Sequence, residues 1–196
     1  MAFKLGITGF MGCGKSTVSD IFIEYGISVW DADKEVHNTY KNGGLGYNAL
    51  VELHPKLENN EGIDRTLLTN MIEKKEITLK VLELLIHPIL SCNRRRFIAK
   101  NSDKAIIAFD IPLLFETKAE LWLDSVLVVS CSERTQMTRL LKRPEMTQEK
   151  LNILLLRQNQ VAAEKKNYEF AIDSEKQFEE MKGDVIKVIK LLMMKL

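Results

Sequence analysis

Gly9-Phe10-Met11-Gly12-Cys13-Gly14-Lys15-Ser16 fits the pattern G-x-x-x-x-G-K-[ST] at every fixed position. The flanking residues supply the setting this pattern needs. Phe3 to Thr8 reads as a short buried strand entering the loop. Val18, Ile21, Phe22 and Tyr25 then recur at helical spacing, with Gly26 placed to end the helix. Glycine takes positive φ without a Cβ penalty, so the backbone can wrap closely around an anion. The N–H groups of the loop and of the helix start face that anion. Lys15 can reach the β and γ phosphates, and the Ser16 hydroxyl can ligate Mg²⁺. The alternative is a glycine turn opening a helix with Lys15 in solvent, and the fixed residues and their context together outweigh it. A nucleoside triphosphate site is expected.

Beyond Gly26, Ile27 to Trp30 reads as a second strand ending at Asp31-Ala32-Asp33. Strand, helix and strand with a short return make a βαβ unit and hence a parallel sheet. Ligands of such sheets bind at the carboxyl ends of the strands, which is where Asp31 and Asp33 fall. The same two residues could instead be a strand-end turn and the cap of a helix over 34–40. Lys104 to Phe109 is the next buried strand. Asp110 after it is either a carboxylate that steadies Mg²⁺ through water or an ordinary strand-end acid. Ser125 to Ser130 and Tyr168 to Asp173 are the remaining strands. Ser132 caps a helix running through Met137, Leu140 and Leu141. Phe178, Met181, Val185, Val188, Ile189 and Leu192 line the core face of a last helix.

Residues 34 to about 101 show no convincing strand and three or four helical patterns. Asp64 can cap a helix carrying Leu67, Leu68, Met71 and Ile72. Another helix, from about Thr78, carries Leu79, Leu82, Leu85 and Ile86, and Pro88 either kinks it or starts a new one. Asn59-Asn60-Glu61-Gly62 is the clearest loop. So long a helical excursion reads as an inserted subdomain that covers a ligand. Within it, His87-Pro88 is either a packing and capping pair or functional. Arg94-Arg95-Arg96 point in different directions on a helix, so at most one or two could face one ligand. Arg134, Arg139, Arg143, Arg157, Lys165 and Lys166 surround the break at Pro144 and the cap-like Thr147-Gln148-Glu149. This is either a cationic lid that closes over triphosphate and excludes water, or a solvated helical hairpin.

Composition sets bounds. With 196 residues, 45% of them hydrophobic, the chain can bury one good core with one insertion. Basic residues number 28 against 27 acidic ones, a net charge of +1, which argues against a dedicated nucleic-acid or membrane surface. Cys13, Cys92 and Cys131 have no metal-ligand spacing and suggest reduced thiols in a cytoplasmic protein, with Cys13 a small loop residue of no catalytic duty. Cleavage of an N-terminal signal would remove the first strand. No apolar run approaches the length of a membrane span.

Several separated stretches together resemble one family, dephospho-coenzyme A kinase. They are G-x-x-G-x-G-K-S-T at 9–17, V-W-D-A-D at 29–33, E-G-I-D-R at 61–65 and H-P-I at 87–89. D-I-P-L-L-F-E at 110–116, T-Q-M-T-R-L-L-K-R at 135–143, Gln158 and A-E-K at 163–165 continue the series in order. The resemblance implies an α/β, P-loop NTPase-type three-layer fold with a five-stranded parallel sheet, an inserted helical substrate-binding subdomain and a small helical lid. The nucleotide core would comprise 1–33, 102–133 and 168–196, the acceptor-binding subdomain 34–101 and the lid 134–167. It also implies transfer of the γ-phosphoryl of ATP, with Mg²⁺, onto the ribose 3′-hydroxyl of dephospho-CoA, with no obligate protein partner evident.

In that reading Gly9 and Gly12 to Thr17 (Gly12, Cys13, Gly14, Lys15, Ser16, Thr17) hold the ATP phosphates, with Arg143 beside them. Ser16 and Asp110 serve Mg²⁺. Asp33, Lys15 and Arg139 carry the transfer, Asp33 by positioning the hydroxyl and taking its proton late, with Asp31 as its neighbour. Arg65, His87 and Leu114 line the acceptor cleft. Two departures stand out: Pro144-Glu145 after the lid arginine, and Asp173-Ser174-Glu175 where the family tends to have Asp-Asn and a glycine near adenine. Rival readings are another P-loop small-molecule or nucleoside kinase, or a nucleotide-gated switch. The guanine-reading N-K-x-D motif of many switches is absent from the sequence.

Overall fold

β1 (Phe3–Thr8) is the middle strand of a five-stranded sheet that also holds β2 (Ser28–Asp31), β5 (Ile106–Asp110), β6 (Ser125–Ser130) and β7 (Phe170–Asp173), in the order β2-β5-β1-β6-β7. β1 pairs in parallel with β5 and β6, and β6 with β7. The computed structural model describes residues 1–143, 146–147, 151 and 168–196. They fall into two compact units, Met1–Trp30 with Asn101–Leu196, and Asp31–Lys100.

In the sheet unit, α1 (Lys15–Glu24) and the C-terminal helix α7 (Phe178–Met194) bury their apolar stripes in one core. Val18, Ile21 and Phe22 meet Leu5, Ile7 and Leu127 of the strands and Met181, Val185 and Leu192 of α7. Each such side chain, once removed from water, contributes roughly 1.5–3 kcal/mol. Alternation along β5 sends Ile106 and Ala108 into this core and Phe109 to the other face. There Phe109 meets Trp30 at 6.1 Å and Trp122 edge-on at 5.0 Å. A further helix among the described residues of the unit, α6, spans Glu133–Leu141.

Three sequence expectations in this unit need correction. Tyr25 follows the helical spacing but sits past the last turn of α1, exposed, with Lys182 over its ring. Phe178 ends up exposed rather than in the core stripe because it lies at the start of its helix. Asp110 is the last residue of β5, inside the strand and buried, rather than the first residue after it.

The helical unit comprises α2 (Ala32–Thr39), α3 (Leu45–Leu53), a 3-10 turn at Pro55–Leu57, α4 (Arg65–Glu73) and α5 (Leu79–Lys100). It has its own core of Leu50, Leu57, Ile63, Leu68, Met71, Ile77 and Leu82. Asp64 caps α4 as expected, accepting from the Leu67 N–H at 2.9 Å. The expectation of no strand fails here: β3 (Glu58–Asn59) and β4 (Gly62–Ile63) form an antiparallel ladder around the Asn60-Glu61 turn. Two residues per strand are too few to print an alternating pattern. Pro88 lies inside the 22-residue α5 and starts no new helix. Asn93 ties α5 to α2 by donating to Glu35 at 2.6 Å.

Candidate active site

The glycine loop is shaped by two different needs. At Gly9 a Cβ would stand 2.3 Å from the Val129 carbonyl oxygen of β6, so only glycine lets the chain leave β1 this close to its neighbour. At Gly12 and Gly14 the need is conformational, with φ of 84° and 82°. The Cys13 N–H closes a turn onto the Phe10 carbonyl at 3.1 Å. Gly14 then occupies the N-cap of α1, and no side chain hydrogen bond caps it. The first-turn N–H groups of that helix are therefore directed at whatever the loop encloses.

Lys15 opens α1. Its Nζ lies 3.2 Å from Asp110 Oδ1, with only 14% and 7% of the two side chains accessible. Ser19, one turn further along the same helix face, donates to Asp110 Oδ2 at 2.9 Å. The carboxylate thus gathers a cation and a hydroxyl from α1 at the end of β5. A pair this sheltered is little screened by salt, so it fixes the lysine stem beneath the loop. Ser16 and Thr17 are exposed at the helix start.

α6 is fastened to the loop from the side. Gln136, itself buried, donates to the Met11 carbonyl at 2.8 Å. Arg139 Nη1 approaches the Gly12 carbonyl at 3.4 Å and donates to Ser174 Oγ at 2.8 Å, while Nη2 donates to the Ser174 carbonyl at 2.8 Å. The start of α6 is held twice. Ser132 accepts from the Thr135 N–H at 3.3 Å, and Glu175 accepts from the Ser132 hydroxyl at 2.7 Å, the Ser132 N–H at 3.1 Å and the Thr135 hydroxyl. Those bonds, the one from Thr135 foremost, hold the Glu175 carboxyl below the usual carboxylate range. Cys13 is buried, and its sulfur lies 3.3 Å from the Cys131 Sγ. Burial, then the contact with Cys13, pushes the Cys131 thiol up to about 12, so at neutral pH it is a packed thiol and no nucleophile.

The other expected residues divide. Asp31 caps α2, accepting from the Lys34 N–H at 2.9 Å, and Asp33 stands exposed in the first turn of that helix. Arg65 begins α4 with Nη1 3.4 Å from His37 Nδ1. His87 is exposed on α5 beside a shallow hollow of about 520 Å³ that Lys80, Leu84, Ser91 and Arg95 also line. The arginine run splits as helical geometry requires. Arg94 is half-buried, and burial lowers its pKa, while Arg95 and Arg96 are exposed. Leu114 is fully buried, so its side chain belongs to the core and presents no surface to an acceptor. Arg143 is exposed just after α6. Pro144, Glu145, Arg157, Gln158, Lys165 and Lys166, and with them most of the expected lid, lie outside the described residues.

Sequence reasoning missed Ser19, Gln136 and the roles of Ser174 and Glu175. Only Ser19 carried a local signal, its position one helical turn after Lys15. The others act across 35 or more residues of chain.

Fold and loop together define a class: an α/β protein of the P-loop kind, built to hold the phosphate tail of a nucleotide. The chain belongs to the dephospho-CoA kinase family, whose signature matches residues 3–180. A dephospho-CoA kinase of Bradyrhizobium diazoefficiens is 34% identical over 187 residues, covering 94% of this chain and 93% of its own. Among solved structures, a Thermus thermophilus protein superposes with a TM-score of 0.78 at 23% identity, covering 97% of both chains. A dephospho-CoA kinase from Campylobacter jejuni superposes with a TM-score of 0.70 at 23% identity, covering 97% of this chain and 96% of its own. These two superpositions speak for the fold. No helix among the described residues is long and apolar enough to cross a membrane.

Proposed function

We propose that this protein phosphorylates dephospho-CoA on its ribose 3′-hydroxyl, with ATP as donor, to give coenzyme A. The observation that carries the reading is the sheltered Lys15–Asp110 pair under an uncapped helix start and two positive-φ glycines. That arrangement suits a polyanion. In the reaction the 3′-oxygen attacks the γ-phosphorus, the bond from that phosphorus to the β–γ bridging oxygen breaks, and ADP leaves. Lys15, Arg139 and Arg143 bear on the charge that spreads over the phosphoryl oxygens. Asp33 aligns the hydroxyl and accepts its proton late; an Asp of ordinary basicity does more by alignment than by base strength. Its seat in the first turn after the second strand of a parallel sheet supports that role. Arg65 and His87 are assigned to the acceptor, and Asp31 to setting the start of α2.

The donor set fits Mg²⁺, since an exposed Ser16 hydroxyl and the Asp110 carboxylate are both hard oxygen ligands close in sequence or space to Lys15. When bound, Mg²⁺ supplies charge neutralisation to the phosphates. The three free cysteines are in keeping with work in the cytoplasm. The test is an assay of purified protein with Mg-ATP and a panel of alcohol acceptors, following ADP and phosphorylated product. Product with dephospho-CoA alone is expected. Product with a different acceptor only, or hydrolysis with none, would overturn the reading.

A further inference from the structure

We propose that Ser174 is a positioning residue for Arg139, holding its guanidinium beside the phosphate loop before ATP arrives. The inference rests on the reading of Arg139 as a phosphate-binding arginine and goes beyond it by naming what aims it. An arginine on a helix surface has several rotatable bonds, and freezing them must be offset by contacts. Ser174 supplies two acceptors to two different nitrogens, its hydroxyl to Nη1 and its carbonyl to Nη2, each at 2.8 Å. This is a fork-shaped grip of the kind a planar guanidinium matches and a lysine cannot.

The grip is rigid because Ser174 is itself fixed. It is buried, and its own N–H donates to the Ser130 carbonyl at 2.9 Å, extending the β6–β7 pairing by one residue. Arg139 is therefore anchored to the edge of the sheet rather than to solvent. The place where it is anchored is the loop: Nη1 is 3.4 Å from the Gly12 carbonyl and 3.5 Å from where a Cβ on Gly14 would stand. Glu175, the next residue, secures the other end of α6 through Ser132 and Thr135. Two consecutive residues of the β7–α7 turn thus set both the helix and the arginine it carries. Donors set in advance are what transition-state charge rewards, because nothing need be reoriented as that charge grows.

The experiment is a cycle of four full-length proteins, wild type, Ser174→Ala, Arg139→Ala and the double variant, assayed with Mg-ATP and dephospho-CoA. One bond to a charged group is lost while the backbone carbonyl remains, so Ser174→Ala should lower kcat about tenfold. The KM for dephospho-CoA should stay within about twofold, because the acceptor is not what Ser174 touches. In the Arg139→Ala background the same change should cost less than about twofold, since nothing is left to aim. Ser174→Thr, which keeps the hydroxyl, should keep most of the wild-type kcat, and this separates loss of the acceptor from loss of fold. An equal loss from Ser174→Ala in both backgrounds, or equal defects in Ser174→Ala and Ser174→Thr, would overturn the positioning role. So would a normal kcat in Ser174→Ala beside a damaged Arg139→Ala. Full activity in Arg139→Ala is the distinct outcome that removes Arg139 from the reaction, and Ser174's role with it.

Discussion

The two units hold their candidate residues in opposite ways. In the sheet unit two of the long side chains with a proposed phosphate role are tied down, Lys15 to a sheltered carboxylate and Arg139 to both acceptors of a buried serine, while Arg143 is exposed. In the helical unit Asp33 and His87 are exposed, and Arg65 has one 3.4 Å approach to His37. The units even keep separate hydrophobic cores. A triphosphate tail brings the same charge in the same shape at every turnover, so its donors gain from being set in advance. Exposed groups such as Asp33 and His87 would have to be ordered by whatever they bind, at a cost in affinity.

The largest test sets one residue from each unit against the other. Lys15→Ala should lower kcat by about 10³-fold, whereas Asp33→Asn should lower it by about 10²-fold with ATP binding intact. The two should differ more in stability than in rate. Lys15→Ala strands the Asp110 carboxylate in a sheltered site and should destabilise by about 3 kcal/mol. Asp33 is exposed, so Asp33→Asn should stay within about 0.5 kcal/mol of wild type. Paired thermal melts and steady-state kinetics check both. Equal stability losses would erase the contrast, and near-normal turnover in Asp33→Asn would remove Asp33 from the mechanism.

A second pair compares backbone rather than charge. Gly9→Ala drives a Cβ to 2.3 Å from a β6 carbonyl, a strand backbone that cannot swing aside, and should cost about 3 kcal/mol. Pro88→Ala restores a helical N–H within α5 and should gain about 1 kcal/mol, because Pro88 is exposed and inside the helix. Chemical denaturation of the two variants measures both signs. A destabilised Pro88→Ala would mean that the helical unit, too, is built to tight tolerances around that residue.

What could be read in the chain beforehand follows from how far each interaction reaches. β1, the glycine loop and α1 are legible because pattern and geometry coincide within twenty-odd residues, and the caps Asp64 and Ser132 because their bonds close three residues away. Tyr25 shows where spacing overreaches, since periodicity does not say which turn is the last. Asp110 is legible as an acid near a strand end, while its grip on Lys15, across 95 positions, is a product of β1 and β5 lying side by side. Leu114 is the opposite case: a residue in a motif-like stretch whose side chain turns out to fill the core. Ser174 had no local signal at all, because its meaning depends on an arginine 35 residues earlier.

The smallest expected effect lies at the other end of α6, where Glu175 holds the helix start. Its carboxyl is held below the ordinary range by hydrogen bonds from Thr135 and Ser132, with desolvation acting the other way. A depressed carboxyl contributes stability above its unfolded pKa, and that contribution is lost as pH falls through the folded value. The gap in melting temperature between wild type and Glu175→Gln should therefore be open at pH 7 and close as the pH is taken below about 4. The gap should be small, because Glu175 is exposed and exposed polar pairs are weak. A gap that stays constant down to pH 3 would mean the carboxylate form is not what holds α6. The sheet unit would then owe its fixed arginine to Ser174 alone, and the contrast between the two units would rest on buried contacts rather than on capping chemistry.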